Sequence, residues 1–146
     1  TSEIYQTFMA QGGPDYLLEF PHGYTYSAHP VACAAGIAAL DVLEQEQLPQ
    51  RVAEMAPYFE NALHDLKGSP HVSDIRNYGF AGALTLQAYD GEPLRRPFEV
   101  GMRMWEKGFY VRYGGDTIQM GLPFIIEKHE IDSLLSALSD TLTELA

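Results

Sequence analysis

The chain has 146 residues, 46% of them hydrophobic, with twenty acidic side chains against nine basic ones and a formal charge of −11. That apolar share suits a packed globule of one domain, or one domain plus a piece of another, and not a disordered chain. Scattered bases on so acidic a chain argue against nucleic acid and anionic membranes as partners, and the longest apolar run, Val31–Leu40, is far short of the roughly 20 residues a bilayer span needs.

Ile4, Phe8 and Met9 have helix-face spacing near the start, and Gly12-Gly13-Pro14 breaks that helix, since glycine is entropically costly there and proline lacks the N–H. A loop rich in glycine, proline and aromatic residues follows to residue 28. A helix is predicted from about Pro30 to Gln45, Pro30 suiting a first helical position. Its body, Ala32-Cys33-Ala34-Ala35-Gly36-Ile37-Ala38-Ala39-Leu40, is small and apolar almost all round, which predicts a buried helix closely approached by other backbones. Next, Leu48, Val52, Met55, Phe59, Leu63 and Leu66 form one apolar stripe on a helix ended near Lys67 by Gly68 and Pro70.

The period then changes. Val72–Arg76 and Phe80–Gln87 read as strands separated by Asn77-Tyr78-Gly79, with Leu84 and Leu86 alternating with Thr85 and Gln87. Asp90-Gly91 and Pro93 mark a loop. A helix from about Pro97 to Lys107 places Phe98, Met102 and Trp105 on one face, and Phe109–Tyr113 with Thr117–Gly121 form a hairpin around Gly114-Gly115-Asp116. Ile131, Leu134, Leu135, Leu138, Leu142 and Leu145 define a last helix. The fold class is α+β, helices covering a small sheet.

Common catalytic patterns are missing. The five histidines make no His-Glu-x-x-His array and no metal-ligand spacing, so no metal is expected. Cys33 has no basic neighbour and is read as a packing residue. As the lone cysteine it forms no internal disulfide, and Thr1-Ser2-Glu3 is neither basic nor apolar, so a cytoplasmic protein is expected. Lys67 and Lys107 each precede a glycine at a helix end, where a cation offsets the helix dipole. Lys128 opens the last helix, and none of the three lies in the desolvated pocket that a Schiff-base lysine requires. Arg76 is read as structural, paired with Asp74. The informative stretch runs from Phe20 to Ala35, where a glycine turn delivers hydroxyls and backbone amides to the start of the small-residue helix, a geometry that attracts phosphate. Simple capping is the other reading.

The string His22-Gly23-Tyr24-Thr25-Tyr26-Ser27-Ala28-His29-Pro30 resembles the His-Gly-aromatic-Thr-Tyr-Ser-Gly-His-Pro motif of class III pyridoxal-phosphate aminotransferases of the ω-amino acid:pyruvate group, which includes β-alanine:pyruvate transaminases. Ala28 departs from its glycine. Ser2-Glu3-Ile4-Tyr5 is similar to the segment shortly after that family's catalytic lysine. Asp74–Ala83 resembles its first small-domain strands, and Val111–Met120 its substrate-arginine hairpin.

The resemblance implies the C-terminal part of a homodimer or higher homo-oligomer using pyridoxal 5'-phosphate and acting on small amino and keto acids such as β-alanine and pyruvate. Residues 1–28 would end the large cofactor domain with its phosphate loop. Residues 29–47 would form a linking helix, and residues 48–146 the small C-terminal domain of a fold type I transferase. It implies that Tyr24, through its backbone amide, and Thr25, through its hydroxyl, bind cofactor phosphate, and that Arg112 grips the substrate carboxylate. The Schiff-base lysine is expected upstream of Thr1. Thr25 in a local turn hydrogen bond and Arg112 in a surface ion pair with Asp116 or Glu106 are the simpler alternatives. Aminomutase or decarboxylase chemistry on a like fold is a second functional expectation. A non-catalytic acidic interaction module is a third, and it requires Val31–Leu40 to be covered within the chain itself.

Overall fold

The structure is a computed structural model that describes residues 1–10 and 24–146. The glycine-proline breaker and the His22-Gly23 entry to the turn lie outside the described residues. Among the described residues five helices and four strands follow in the order α1 (Ser2–Met9), α2 (Pro30–Gln45), α3 (Leu48–His64), β1 (Val72–Tyr78), β2 (Ala81–Leu86), α4 (Arg95–Glu106), β3 (Arg112–Gly114), β4 (Thr117–Gly121) and α5 (Lys128–Glu144). Among the described residues no helix is long and apolar enough to cross a membrane. The chain divides into two compact units, Thr1–Leu40 and Asp41–Ala146, and the division falls within α2.

In the first unit, α2 has its predicted bounds, but neither it nor α1 buries a residue. Val31, Ile37 and Leu40 are each more than 60% exposed, and Cys33 is exposed too. The expectation of a buried helix and a packed cysteine is therefore not met among the described residues. The helix has the all-round apolar character of a covered one, and the described residues supply no surface to cover it.

The second unit is a four-stranded antiparallel sheet, in the order β1-β2-β4-β3, with α3, α4 and α5 packed on one face. The α3 stripe works as predicted: Leu48, Phe59, Leu63 and Leu66 are buried, and Val52 and Met55 are partly so. The α3 helix ends at His64, three residues before Lys67, and Gly68 takes a positive φ of 91° beyond it. Leu84 and Leu86 point inward from β2, and Ile118 and Met120 from β4. They meet Val100 and Met104 of α4 and Ile131, Leu134, Leu135, Leu138 and Leu142 of α5 in a single core.

Two glycines let helices approach this sheet. A Cβ on Gly82 would lie 2.8 Å from Phe59 Cζ and 2.9 Å from Leu63 Cδ2, and one on Gly101 would run into the Tyr113 ring. The latter contact lays α4 over β3, and it explains why α4 turns the other way from the sequence expectation. Arg96, Pro97, Val100, Gly101 and Met104 are buried, whereas Phe98, Met102 and Trp105 are exposed. The only adjacent arginine pair is split by the same rotation. Arg95 bridges Glu92 and Glu99 at 2.7 Å each. Buried Arg96 stacks 3.9 Å over the Tyr89 ring and donates from Nε to the Gln87 carbonyl.

The segment before α5 is held by Arg51, whose guanidinium donates to the carbonyls of Phe124, Ile125 and Ile126 and to the Glu127 carboxylate. Glu127 and Glu130 close a reciprocal capping box on α5, satisfying N–H groups that a helix start leaves open.

Candidate functional site

The sequence candidates fall into both units. In the first, Tyr24–Ala28 form a turn in which the Ser27 amide donates to the Tyr24 carbonyl at 2.9 Å and the His29 amide to the Tyr26 carbonyl at 3.3 Å. The chain enters α2 directly afterwards, with the Cys33 amide bonded to the His29 carbonyl. Ala28, at the position where the motif has glycine, sits at φ 61°. Left-handed backbone is what glycine provides without strain, and the methyl group makes it costly.

Tyr24, Thr25 and Tyr26 are exposed, and the Thr25 hydroxyl has no hydrogen-bond partner among the described residues. The local turn bond offered as the simpler reading of Thr25 is therefore not made. No carboxylate occurs from Tyr24 to Ala39, so nothing acidic in that stretch opposes an anion at the positive end of α2. A free hydroxyl ahead of a helix start with no negative neighbour in sequence fits a phosphate group chemically.

In the second unit the site is the sheet face that turns away from the helices. The register aligns Arg76 with Ala83, Ala83 with Gln119, and Gln119 with Arg112, one row across all four strands. Arg76, Gln119 and Arg112 are exposed and Ala83 is half-buried. The neighbouring row, Ile75, Leu84, Ile118 and Tyr113, points into the core side, as the two-residue period of a strand requires. Val111 is buried and Arg112 is exposed on the opposite side from it.

Arg76 is bound as the sequence suggested, to Asp74 at 3.0 Å and to the Thr85 hydroxyl at 2.8 Å. Arg112 differs. Among the described residues its guanidinium makes no hydrogen bond and no ion pair. Asp116, one of its two suggested partners, instead accepts from the Thr117 hydroxyl at 2.8 Å. A planar fork presented without a carboxylate on an open face can take one bidentately.

Gln119 was not singled out from sequence. Its place beside Arg112 follows from counting outward from the Gly115-Asp116 turn, so a hairpin register would have found it. Among the described residues no cluster of His, Cys, Asp and Glu could hold a metal ion.

The family model "Aminotransferase class-III" matches residues 1–142. The chain belongs to the class-III aminotransferase family. It is 57% identical over 99% of its length to the omega-amino acid--pyruvate aminotransferase of Pseudomonas putida, of which it covers 32%. It is 55% identical over its full length to the beta-alanine--pyruvate aminotransferase of Pseudomonas aeruginosa, of which it covers 33%. Among solved structures, an amine transaminase from an uncultivated Pseudomonas species in its PLP-bound form is similar over 87% of this chain and 30% of its own, at 30% identity and a TM-score of 0.76. The chain thus spans about a third of the length of the class-III aminotransferases it matches.

Proposed function

We propose that the protein carrying this chain is a pyridoxal-phosphate-dependent aminotransferase that moves an amino group from an ω-amino acid such as β-alanine to pyruvate. The observation that carries this reading is the similarity, over 99% or more of the chain, to two curated enzymes named for that reaction, at 55% and 57% identity. In this reading residues 1–28 close the large domain, residues 29–47 link, and residues 48–146 form the small domain. The lysine that bonds the cofactor is supplied by sequence before Thr1, and the whole is a cytoplasmic homodimer or larger homo-oligomer. That the described residues leave α2 uncovered supports it, because a self-contained interaction module would bury that helix itself.

The residues of this chain bind and orient. The Thr25 hydroxyl and the Tyr24 backbone amide hold the cofactor phosphate, neutral donors that satisfy its oxygens without adding a second cation. Arg112 binds the carboxylate of the amino donor and of the keto acid. Pyridoxal phosphate, when bound, supplies the aldehyde that carries the amino group and a ring that draws off electron density.

In the full-length protein, Thr25→Ala is expected to raise the cofactor dissociation rate about tenfold, the effect of one lost hydrogen bond to a charged group. This is read as loss of cofactor absorbance on gel filtration. Unchanged retention would remove the phosphate role. Arg112→Ala should cut kcat/KM for β-alanine about a hundredfold relative to a carboxylate-free amine, as expected for a lost charge-assisted pair. An unaltered ratio of the two donors would remove the carboxylate role.

A further inference from the structure

β3 and β4 meet through a two-residue turn, so the register sets Gly114 against Thr117, Tyr113 against Ile118 and Arg112 against Gln119. Directly opposed residues of an antiparallel pair point to the same face with Cβ atoms about 4.5–5.5 Å apart. The other neighbour of Gln119 in the row is Ala83, whose methyl offers nothing to bond. Arg76, beyond it, is already taken by Asp74 and Thr85. Like Arg112, the Gln119 amide makes no hydrogen bond among the described residues and is exposed. An unengaged guanidinium therefore has an unengaged amide as its immediate cross-strand neighbour.

We propose that Gln119 is a positioning and specificity residue for Arg112, its amide oxygen being the directly opposed acceptor that can take a guanidinium N–H and restrain that long side chain when Arg112 is ordered on a carboxylate. The inference rests on the reading of Arg112 as the carboxylate site. The neutrality of the amide is its main property. A carboxylate at 119 would form a charge-assisted pair and compete with the substrate for the same fork, whereas a hydrogen bond donated by the guanidinium to a neutral amide oxygen is weaker and leaves the charge available. An apolar residue of similar size would leave the guanidinium unrestrained, so that each substrate bound would have to order it.

Two variants of the full-length, cofactor-loaded protein separate these effects. Gln119→Glu should raise KM for β-alanine at least tenfold with kcat within twofold. Gln119→Leu should raise it three- to fivefold. A carboxylate-free amine, 2-aminobutane, should change less than twofold in both. Calorimetric binding of propionate, an unreactive monocarboxylate, should weaken in the same order, which reads the site without turnover. Equal losses on β-alanine and 2-aminobutane would mean a merely structural role and overturn the proposal. An unchanged KM in Gln119→Glu would also overturn it. Arg112→Ala is measured alongside. If it leaves propionate binding intact, the carboxylate reading of Arg112 fails and the proposal fails with it. If it abolishes propionate binding while Gln119→Glu does not weaken it, only the role of Gln119 fails.

Discussion

Ala28 carries a left-handed backbone at φ 61° in the turn that leads into α2. For a residue with a Cβ this conformation costs about 1 kcal/mol more than for glycine, so the turn is strained at one methyl group. Ala28→Gly is expected to relieve that strain and raise the hydrogen-exchange protection of the Cys33 amide, which bonds to the His29 carbonyl, about fivefold by the same energy. A decrease would mean that the methyl itself stabilises the turn. Thr25 and Arg112 were legible at this scale because a motif marked them, and their lack of local partners is what the structure adds. Gln119 carried no motif and became visible only through its register.

Helix and strand types were largely readable from periodicity because burial imposes it: the α3 stripe and the β2 alternation both occur as spaced. The orientation of α4 was not readable. Phe98, Met102 and Trp105 are as apolar as the residues on the face that is buried, and the sequence pattern holds no term for the Tyr113 ring resting against Gly101. Close approach also governs the sheet at Gly82. Gly82→Ala would push a methyl into Phe59 and Leu63 and should cost about 1–3 kcal/mol through overpacking. Gly121→Ala, on the same sheet with nothing within 4 Å of its Cβ position, should change stability little. Urea midpoints of the two variants test this, and equal shifts would mean that the sheet backbone, not the α3 contact, sets the cost.

Across the second unit, charges at element ends join helices that the core already holds. Lys107 at the end of α4 lies 2.8 Å from Glu144 at the end of α5, with Arg103 at 3.5 Å, and it holds the Glu144 carboxyl below the usual range, Arg103 adding to the effect. Arg95 does the same to Glu99. A carboxyl that ionises more readily when folded stabilises the fold above its unfolded value of about 4.3 and loses that contribution as pH falls through the lowered folded value. The thermal midpoint should therefore drop on acidification below about pH 4.3, and Glu144→Gln should flatten that drop while lowering the midpoint slightly at pH 7. An identical acid limb in the variant would show that these charges do not couple to folding.

Local chemistry in the residue order was enough for the helix and strand types, the limits of α2 and β4 and the α+β class, and the family motif added the candidate residues Tyr24, Thr25 and Arg112. Each of these depends on neighbours within a few positions: a stripe, an alternation, a turn or a motif. The tertiary structure alone decided which face of α4 is buried, that Arg96 is inside while Arg95 is out, and that α2 is left uncovered by the described residues. Those outcomes depend on shape complementarity and register between segments far apart in the chain, and no local window contains either.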